Sequence, residues 1–289
     1  MLSLPVFADF LPGGVLFSGR IGEQWDLFLW KPNIGTGTLY NLTHSPEAEG
    51  NPIYWIQKKC FLYSCQQPDG TFSLIARDTH ETIVASFSAP CGNLGWPQPS
   101  PWDDRILAVQ ENTTTGWTSP GIISFPNGTF EAFPVTDAPG GQAAWISPNQ
   151  IFLSRVKSGN FSLVVRNLQD NRETLLLEDG RNWLSTANPL GGPPFFFARR
   201  VGQKSGIYQV LSDSAAETGW SIKETTTGNM YDWQPSVTPD GRHLVYLSLR
   251  NGYFQPILRD LDNGGEDILP ITGFDQIFHP SWVPAEAFP

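Results

Sequence analysis

The amino-acid sequence predicts an all-β protein, a six-bladed β-propeller built from four-stranded antiparallel blades. Three observations predict this fold: a composition rich in turn residues, a strand pattern that repeats along the chain, and two chain ends that complement each other. The 289 residues include 28 glycines and 25 prolines, and only 16% are charged. Many turns with few charged helical faces are typical of β proteins. The apolar content of 40% is sufficient for a folded core.

The repeat is clearest in the third strand of each unit. Three segments align there: FSLIARD from Phe72, FSLVVRN from Phe161 and FQPILRD from Phe254. Each follows a turn containing Gly or Asn and ends in Arg followed by Asp or Asn. A second apolar strand precedes each, as in CFLYS from Cys60 and HLVYLS from His243. The copies recur about every 45 residues, which is the spacing of propeller blades.

The first and fourth strands of the units are less regular. First strands often contain Pro or Trp, as in NPIYW from Asn51 and GWPQP from Gly95. Fourth strands are indicated by segments such as ETIVASF from Glu81 and ETLLLE from Glu173. Because four antiparallel strands joined by short turns form one blade, six units account for a single domain over residues 1–289.

The two chain ends predict how the ring closes. FHPSWVP, from Phe278 to Pro284, repeats a first strand, and no further strands of that unit follow it. At the other end, LPGGVLFSG from Leu11 begins at a second strand, with no first strand before it. We therefore expect the C-terminal strand to complete the N-terminal blade, shared between about 11–45 and 276–284, so that no sheet edge stays free.

One unit resembles a known family. WQPSVTPDGRHLVYLS, from Trp233, is similar to the repeat of TolB-like β-propellers, in which a Pro-Asp-Gly turn precedes an apolar strand. HPSWVP from His279 and PWDDRILAV from Pro101 are divergent copies. The resemblance implies the propeller fold for the whole chain. It leaves the function open, because this family includes periplasmic translocation proteins, propeller domains of prolyl oligopeptidases and binding modules.

Charge and hydropathy argue against several classes of protein. The net charge is −10 and no dense basic run occurs, so binding to nucleic acid through its phosphates is not expected. No apolar run reaches the roughly 18 residues that span a bilayer, and the first residues lack the pattern of a secretory signal. We expect no membrane insertion. The default compartment is cytoplasmic, or extracytoplasmic if the chain is an excised domain.

The sequence contains no linear catalytic motif. It lacks a Gly-x-Ser-x-Gly nucleophile elbow, a Gly-rich phosphate loop and a His pair with zinc spacing. The acidic segment from Asp260 to Asp267 has the oxygen density of a calcium loop but not the EF-hand spacing. A hairpin turn is therefore expected there. No cofactor is expected, and a metal ion such as calcium is the alternative.

The starts of the inner strands predict a binding site, because these strands converge on the propeller axis. We expect amide, hydroxyl and imidazole side chains to form a polar ring at the channel mouth. The carboxylates nearby would make this mouth negative and favour a cationic or hydroxyl-rich ligand. His279 would change its charge near pH 6–7, the usual range for histidine. The predicted ligand-binding residues are Asn51, Gln142, Thr186, Gln234, His279, Glu49 and Asp232. Pro97 and Asp275 are expected beside them.

Tryptophan is frequent, with 11 residues. Those on inner strands are expected to pack between blades, and others to be exposed on a blade edge, where a protein partner could bind. The inner-strand set is Trp55, Trp145, Trp233 and Trp282, and the others considered are Trp30, Trp117 and Trp220.

The sequence favours a non-catalytic binding module, expected to be a monomer. It would recognise a protein, peptide or small ligand at the channel mouth or on a propeller face. One alternative is a lyase, hydrolase or glycan-processing enzyme with residues gathered across blades at the mouth. The other is a sensor or accessory domain of a larger membrane protein.

Overall fold

The computed structural model describes residues 13–33, 36–134, 140–157, 160–179, 181–226 and 231–287. Antiparallel sheets in a propeller arrangement make up nearly all of this part of the chain, which confirms the all-β class. Its helical content is one short 3-10 segment, Ala285–Ala287. Within the described ranges, no helix is long and apolar enough to cross a membrane.

The strands form four four-stranded sheets and one eight-stranded sheet. The first sheet contains β1 (Gly13–Ile21), β2 (Gln24–Asn33), β3 (Thr36–Asn41) and, from the chain end, β24 (Gln276–Pro284). The second contains β4 (Glu49–Trp55), β5 (Cys60–Gln66), β6 (Phe72–Asp78) and β7 (Ile83–Phe87). The third contains β8 (Asn93–Pro99), β9 (Arg105–Glu111), β10 (Thr118–Ser124) and β11 (Glu131–Ala132).

The eight-stranded sheet begins with β12 (Gly140–Ser147), β13 (Gln150–Lys157), β14 (Asn160–Asn167) and β15 (Glu173–Leu177). It continues with β16 (Arg181–Ala187), β17 (Phe195–Val201), β18 (Lys204–Ser212) and β19 (Trp220–Glu224). These two runs meet where β14 pairs in parallel with β16, at Phe161 and Arg181. The last sheet contains β20 (Asp232–Val237), β21 (His243–Arg250), β22 (Tyr253–Asp260) and β23 (Glu266–Ile268).

We call each run of four strands a unit and number the units along the chain, from unit 1 (β24 with β1–β3) to unit 6 (β20–β23). In unit 1, β24 pairs antiparallel with β1, from Gly13 opposite Pro284 to Arg20 opposite Gln276. The C-terminal strand thus takes the place that β4, β8, β12, β16 and β20 hold in the other units. Gly13 is required there, because a Cβ atom would clash with the Val283 carbonyl oxygen.

The core lies between successive units. Six clusters of buried side chains each join two neighbouring units, and one of them, which includes Val15 and Val245, joins unit 6 to unit 1. Inner-strand tryptophans bridge the units as predicted. Trp145 of unit 4 donates its Nε1–H to the Gln98 carbonyl of unit 3 at 2.9 Å. Trp55 of unit 2 donates to the Ser100 carbonyl at 3.2 Å.

This packing explains why the second and third strands read as continuous apolar runs. A strand covered on both faces by neighbouring units gains from apolar residues at every position, whereas a half-covered strand alternates. The fourth strands lie at the rim and keep exposed residues, such as Ile83 and Ile268. The Pro-Asp-Gly turn before β21 places Gly241 at a φ of 69°, a conformation that glycine adopts without strain.

Candidate functional site

The first strand of each unit contains a β-bulge at an equivalent position. On β4 the ladder skips between Gly50 and Ile53, and on β20 between Trp233 and Ser236. The same irregularity occurs on β8, β12 and β16 and in the pairing of β24 with β1. A bulge leaves one residue unpaired and redirects its side chain.

The residue that begins the bulge has a positive φ in four units. These residues are Asn51 (54°), Trp96 (50°), Gln234 (53°) and His279 (53°). A proline follows each of them, and proline suits a bulge because it has no N–H to leave unpaired. The left-handed conformation costs a non-glycine residue about 1–3 kcal/mol, and such strain concentrates at functional sites. The bulges on the first strands therefore mark the surface around them as a candidate site.

The bulges line a narrow cavity of about 70 Å³, which we call the channel cavity. The first strands of all six units contribute to it. Of the seven residues predicted to bind a ligand, five line this cavity: Asn51, Gln142, Thr186, Gln234 and His279. Pro97 lines it as well. The backbone N–H of His279 donates to Gln234 Oε1 at 2.7 Å, which links units 1 and 6 at the lining.

The structure corrects the alignment of these positions. Asn51, Gln234 and His279 each begin a bulge, but Gln142 is the second residue of its bulge and Thr186 follows one. The residue equivalent to Asn51 in unit 3 is Trp96, which sequence reasoning missed. The signal was present, because Asn-Pro, Trp-Pro, Gln-Pro and His-Pro recur once in each of four units.

Glu49 and Asp232 are not among the described residues that line either cavity. Both are buried, with 4% and 2% of their surface exposed. Glu49 Oε1 accepts from the Ser45 hydroxyl at 2.5 Å, and Asp232 Oδ1 accepts from the Ser248 hydroxyl at 2.6 Å. The bulge two residues later interrupts the alternation of side chains, which separates both carboxylates from the lining. Burial raises the pKa of Glu49 to about 7 and also raises the pKa of Asp232.

The described residues of both linings include none of the carboxylates that the sequence placed near this mouth. Asp275 also lies outside the lining, where its Oδ2 accepts from the Gly22 backbone N–H at 2.8 Å. Burial lowers the pKa of His279 to about 4, so its imidazole is neutral at pH 6–7, contrary to the expectation from sequence. Three buried polar atoms of the lining have no hydrogen-bond partner among the described residues: Asn51 Oδ1, Ser185 Oγ and His279 Nδ1. Buried polar atoms without a partner are rare in native proteins, so they mark this lining as a candidate place for a polar ligand group.

A wider cavity of about 580 Å³, the mouth cavity, adjoins the channel cavity. The two share Trp96, Gln142, Gln234 and His279. The volume is within the range of ligand-binding pockets in proteins. The other described lining residues are Val109, Gly116, Trp117, Thr118, Gly141, Val156, Phe161, Arg181, Trp183 and Trp233.

Five Phe and Trp side chains contribute to the walls of the mouth cavity: Trp96, Trp117, Phe161, Trp183 and Trp233. The rings of Phe161 and Trp183 lie 6.4 Å apart between their centroids. The ring of Trp233 packs against those of Phe254 and Phe278, with centroid distances of 5.0 and 5.8 Å. The described lining carries one guanidinium, that of Arg181, and no carboxylate. The arrangement can enclose an apolar or aromatic group while polar atoms of the channel cavity bind its polar end.

The three tryptophans that were expected to be exposed differ in their exposure. Trp30 is buried, and Trp220 packs on Phe152 and Phe195 at 5.6 and 6.1 Å, so neither forms an exposed surface. Trp117 is 60% exposed, but it lines the mouth cavity instead of a blade edge. A Trp117 substitution therefore tests binding at the mouth.

The acidic segment after β22 forms a hairpin turn. Asp260 Oδ1 accepts from the backbone N–H groups of Asp262 and Asn263, and Asp262 pairs with Arg242 at 3.0 Å. These bonds use the carboxylate oxygens that a calcium ion would need. In the part of the chain that the structure describes, no group of three or more His, Cys, Asp or Glu side chains could hold a metal ion.

No protein-family model matches the sequence, and no curated protein matches it. The fold does match known structures and resembles that of TolB-like β-propellers. TolB from Acinetobacter baumannii shares 16% identity with a TM-score of 0.73, over 95% of this chain and 67% of that one.

Two further propellers show how varied the proteins with this fold are. A chain of the nidogen–laminin complex shares 11% identity with a TM-score of 0.66, over 94% of this chain and 98% of that one. An oligogalacturonate lyase in complex with manganese shares 12% identity with a TM-score of 0.59, over 89% of this chain and 73% of that one. At these identities the likeness establishes the fold alone.

Proposed function

We propose that this protein is a monomeric, non-catalytic binding module, a closed six-bladed propeller that binds a peptide or an exposed segment of a partner protein in its mouth cavity. The observation that carries this proposal is the aromatic mouth cavity, which adjoins buried polar atoms that lack partners. Fixed aromatic rings provide a large contact area at low cost in conformational entropy, and tryptophan is enriched among the residues that dominate binding energy.

The six-bladed ring is supported by three features. Six apolar clusters join the units pairwise in a cycle. The two halves of the eight-stranded sheet meet at one parallel pair, which fits two adjacent blades in contact. The channel cavity is lined by one strand from each of the six units, as an axial channel would be.

A peptide fits the mouth better than other ligand classes that the sequence left open. The described lining lacks the carboxylates that a cationic small molecule or a metal ion would need. Aromatic walls accept apolar side chains, while Asn51 Oδ1 and the amides of Gln142 and Gln234 can bind peptide N–H and C=O groups. Nidogen, a propeller of similar fold, is found in a complex with laminin.

An array of heptapeptides attached by their N-termini tests the proposal. Each random sequence is made twice, with a free C-terminal carboxylate and with a C-terminal carboxamide. We expect a subset of peptides to bind the labelled protein. Trp117→Ala and Trp183→Ala should weaken that binding by about tenfold or more, as for residues that dominate an interface.

The matched control is Trp102→Ala, since Trp102 is partly exposed but lies outside both cavities. Equal melting temperatures for Trp117→Ala and the wild type would show that the fold is intact. Binding that Trp117→Ala and Trp183→Ala leave unchanged would contradict the proposal, as would an array with no binding peptide. Light scattering at several concentrations checks the monomeric state.

A further inference from the structure

The charge of the mouth cavity depends on one side chain, Arg181. It begins β16, its side chain is exposed, and it is the one arginine or lysine in the described lining. The described lining thus carries a positive charge, whereas the sequence suggested a negative mouth. Described walls that carry one guanidinium and no carboxylate favour an anionic group over a cationic one.

Arg181 differs from the other arginines in how its charge is used. Nine arginines form an ion pair with a carboxylate: Arg77, Arg105, Arg155, Arg166, Arg172, Arg199, Arg242, Arg250 and Arg259. Two others stack on an aromatic ring, Arg20 on Trp25 and Arg200 on Tyr231. Arg181 makes neither contact with any described residue. In an acidic chain, this leaves its guanidinium available at a cavity wall.

The position of Arg181 relative to Trp183 indicates what the guanidinium would bind. The two residues are separated by one position on β16, before the bulge that begins after Trp183, so they lie on the same face of the strand. Their separation along the strand is about 7 Å. One amino acid with a large apolar side chain can span this distance, with a carboxylate at Arg181 and its side chain at Trp183 and Phe161.

We infer that the mouth cavity recognises the free C-terminus of a peptide, with the terminal carboxylate on Arg181 and an apolar or aromatic last side chain among Phe161, Trp183 and Trp117. The inference rests on the proposed function and specifies its ligand. A guanidinium can donate two parallel N–H bonds to one carboxylate, and this geometry distinguishes a carboxylate from a neutral carboxamide. The aromatic walls then select the last side chain.

The two forms of the peptide array test this inference directly. We expect the binding peptides to end in Phe, Leu, Trp or another apolar residue. Each should bind about tenfold or more tightly as a free acid than as a carboxamide, as expected for loss of a charge-assisted pair. Arg181→Gln should remove this difference by weakening only the free acid. Arg181→Lys should retain part of it, because lysine keeps the charge without the paired donors.

Arg172→Gln is the matched control, because it removes the same charge from a side chain that is 87% exposed and outside the cavities. It should leave the ratio of free-acid to carboxamide affinity unchanged. Equal binding of both forms, still lost in Trp117→Ala, would overturn this inference and leave the proposed function intact. Absence of binding by every peptide would overturn both. A ratio that Arg181→Gln does not change would assign the carboxylate to another group.

Discussion

At the scale of single residues, the bulges produce two different environments within a few positions. Asn51 lines the channel cavity, whereas Glu49 is buried and its Oε1 accepts from the Ser45 hydroxyl. Asn51 has a positive φ, and the bulge that it begins separates its side chain from that of Glu49. The strained residue thus places an amide in the cavity and leaves a carboxyl group inside the protein.

The environment of Glu49 predicts a dependence of stability on pH. Its pKa is raised from 4.5 to about 7 by burial, so the folded state binds more protons than the unfolded state between these values. The contribution of Glu49 to the free energy of unfolding is therefore greatest below pH 4.5 and falls as the pH rises toward 7. Glu49→Gln should remove this decline and stabilise the protein above pH 7, by up to about 3 kcal/mol.

Urea unfolding of the wild type and of Glu49→Gln between pH 4.5 and 8 measures this difference. The comparison uses the difference between the two free energies of unfolding, because His279 contributes to both proteins alike. The pKa of His279 is lowered, so its contribution to stability is lost as the pH falls from 6.5 toward 4, opposite to that of Glu49. Glu47→Gln is the control, since Glu47 is exposed and two residues away. A difference between wild type and Glu49→Gln that does not vary with pH would refute the assignment.

At the scale of elements, the sequence predicted a strand correctly where a single pattern, a continuous apolar run between turns, determines the structure. The second and third strands were predictable because continuous apolar runs between Gly and Asn turns leave few other structures, as in HLVYLS from His243. The phase of the first strands was not predictable from alternation, because a bulge adds one residue that no period-two pattern contains. Thr186 was therefore aligned with Asn51 although it follows its bulge.

The mouth cavity was also outside the reach of sequence reasoning. Trp117 and Phe161 come from different units, and they meet at one cavity only through the packing of neighbouring units. Local sequence also could not show which charged side chains reach the described lining. Glu49 and Asp232 are close to the lining in sequence, but the bulge directs them elsewhere, and Arg181 was not considered because nothing in its local sequence marks it.

The bridging tryptophans give a prediction about contacts between units. Trp145 is buried, donates to the Gln98 carbonyl, and has the Arg105 guanidinium 4.8 Å from its ring centre. Trp145→Phe should lower the free energy of unfolding by about 1 kcal/mol, because it leaves the partly buried Gln98 carbonyl without this donor. Trp117→Phe is the matched control and should change stability little, because Trp117 is exposed. Chemical denaturation of both variants measures the effect, and similar stabilities would argue against the bridge.

At the scale of the whole molecule, the first and last units are joined by contacts between residues that are far apart in sequence. The cluster between units 6 and 1 contains side chains from β1, β2, β21, β22 and β24, including Phe17, Leu247 and Trp282. If the six units form a closed ring, the binding site needs that closure, because His279 of β24 lines both cavities beside Gln234 of unit 6. Stability and binding should then be lost together when β24 is removed.

Closure by β24 predicts opposite outcomes for two rearranged chains. A truncation before Phe274 removes β24, exposes the edge of β1 and uncovers Val15 and Phe17, so it should melt at a lower temperature and tend to associate. A circular permutant that begins at Phe274 and joins Pro289 to Met1 keeps the same strand pairing, since Gly13 lies opposite Pro284. It should retain peptide binding and a melting temperature near that of the wild type. A truncation that melts like the full chain would show that β24 does not close the ring.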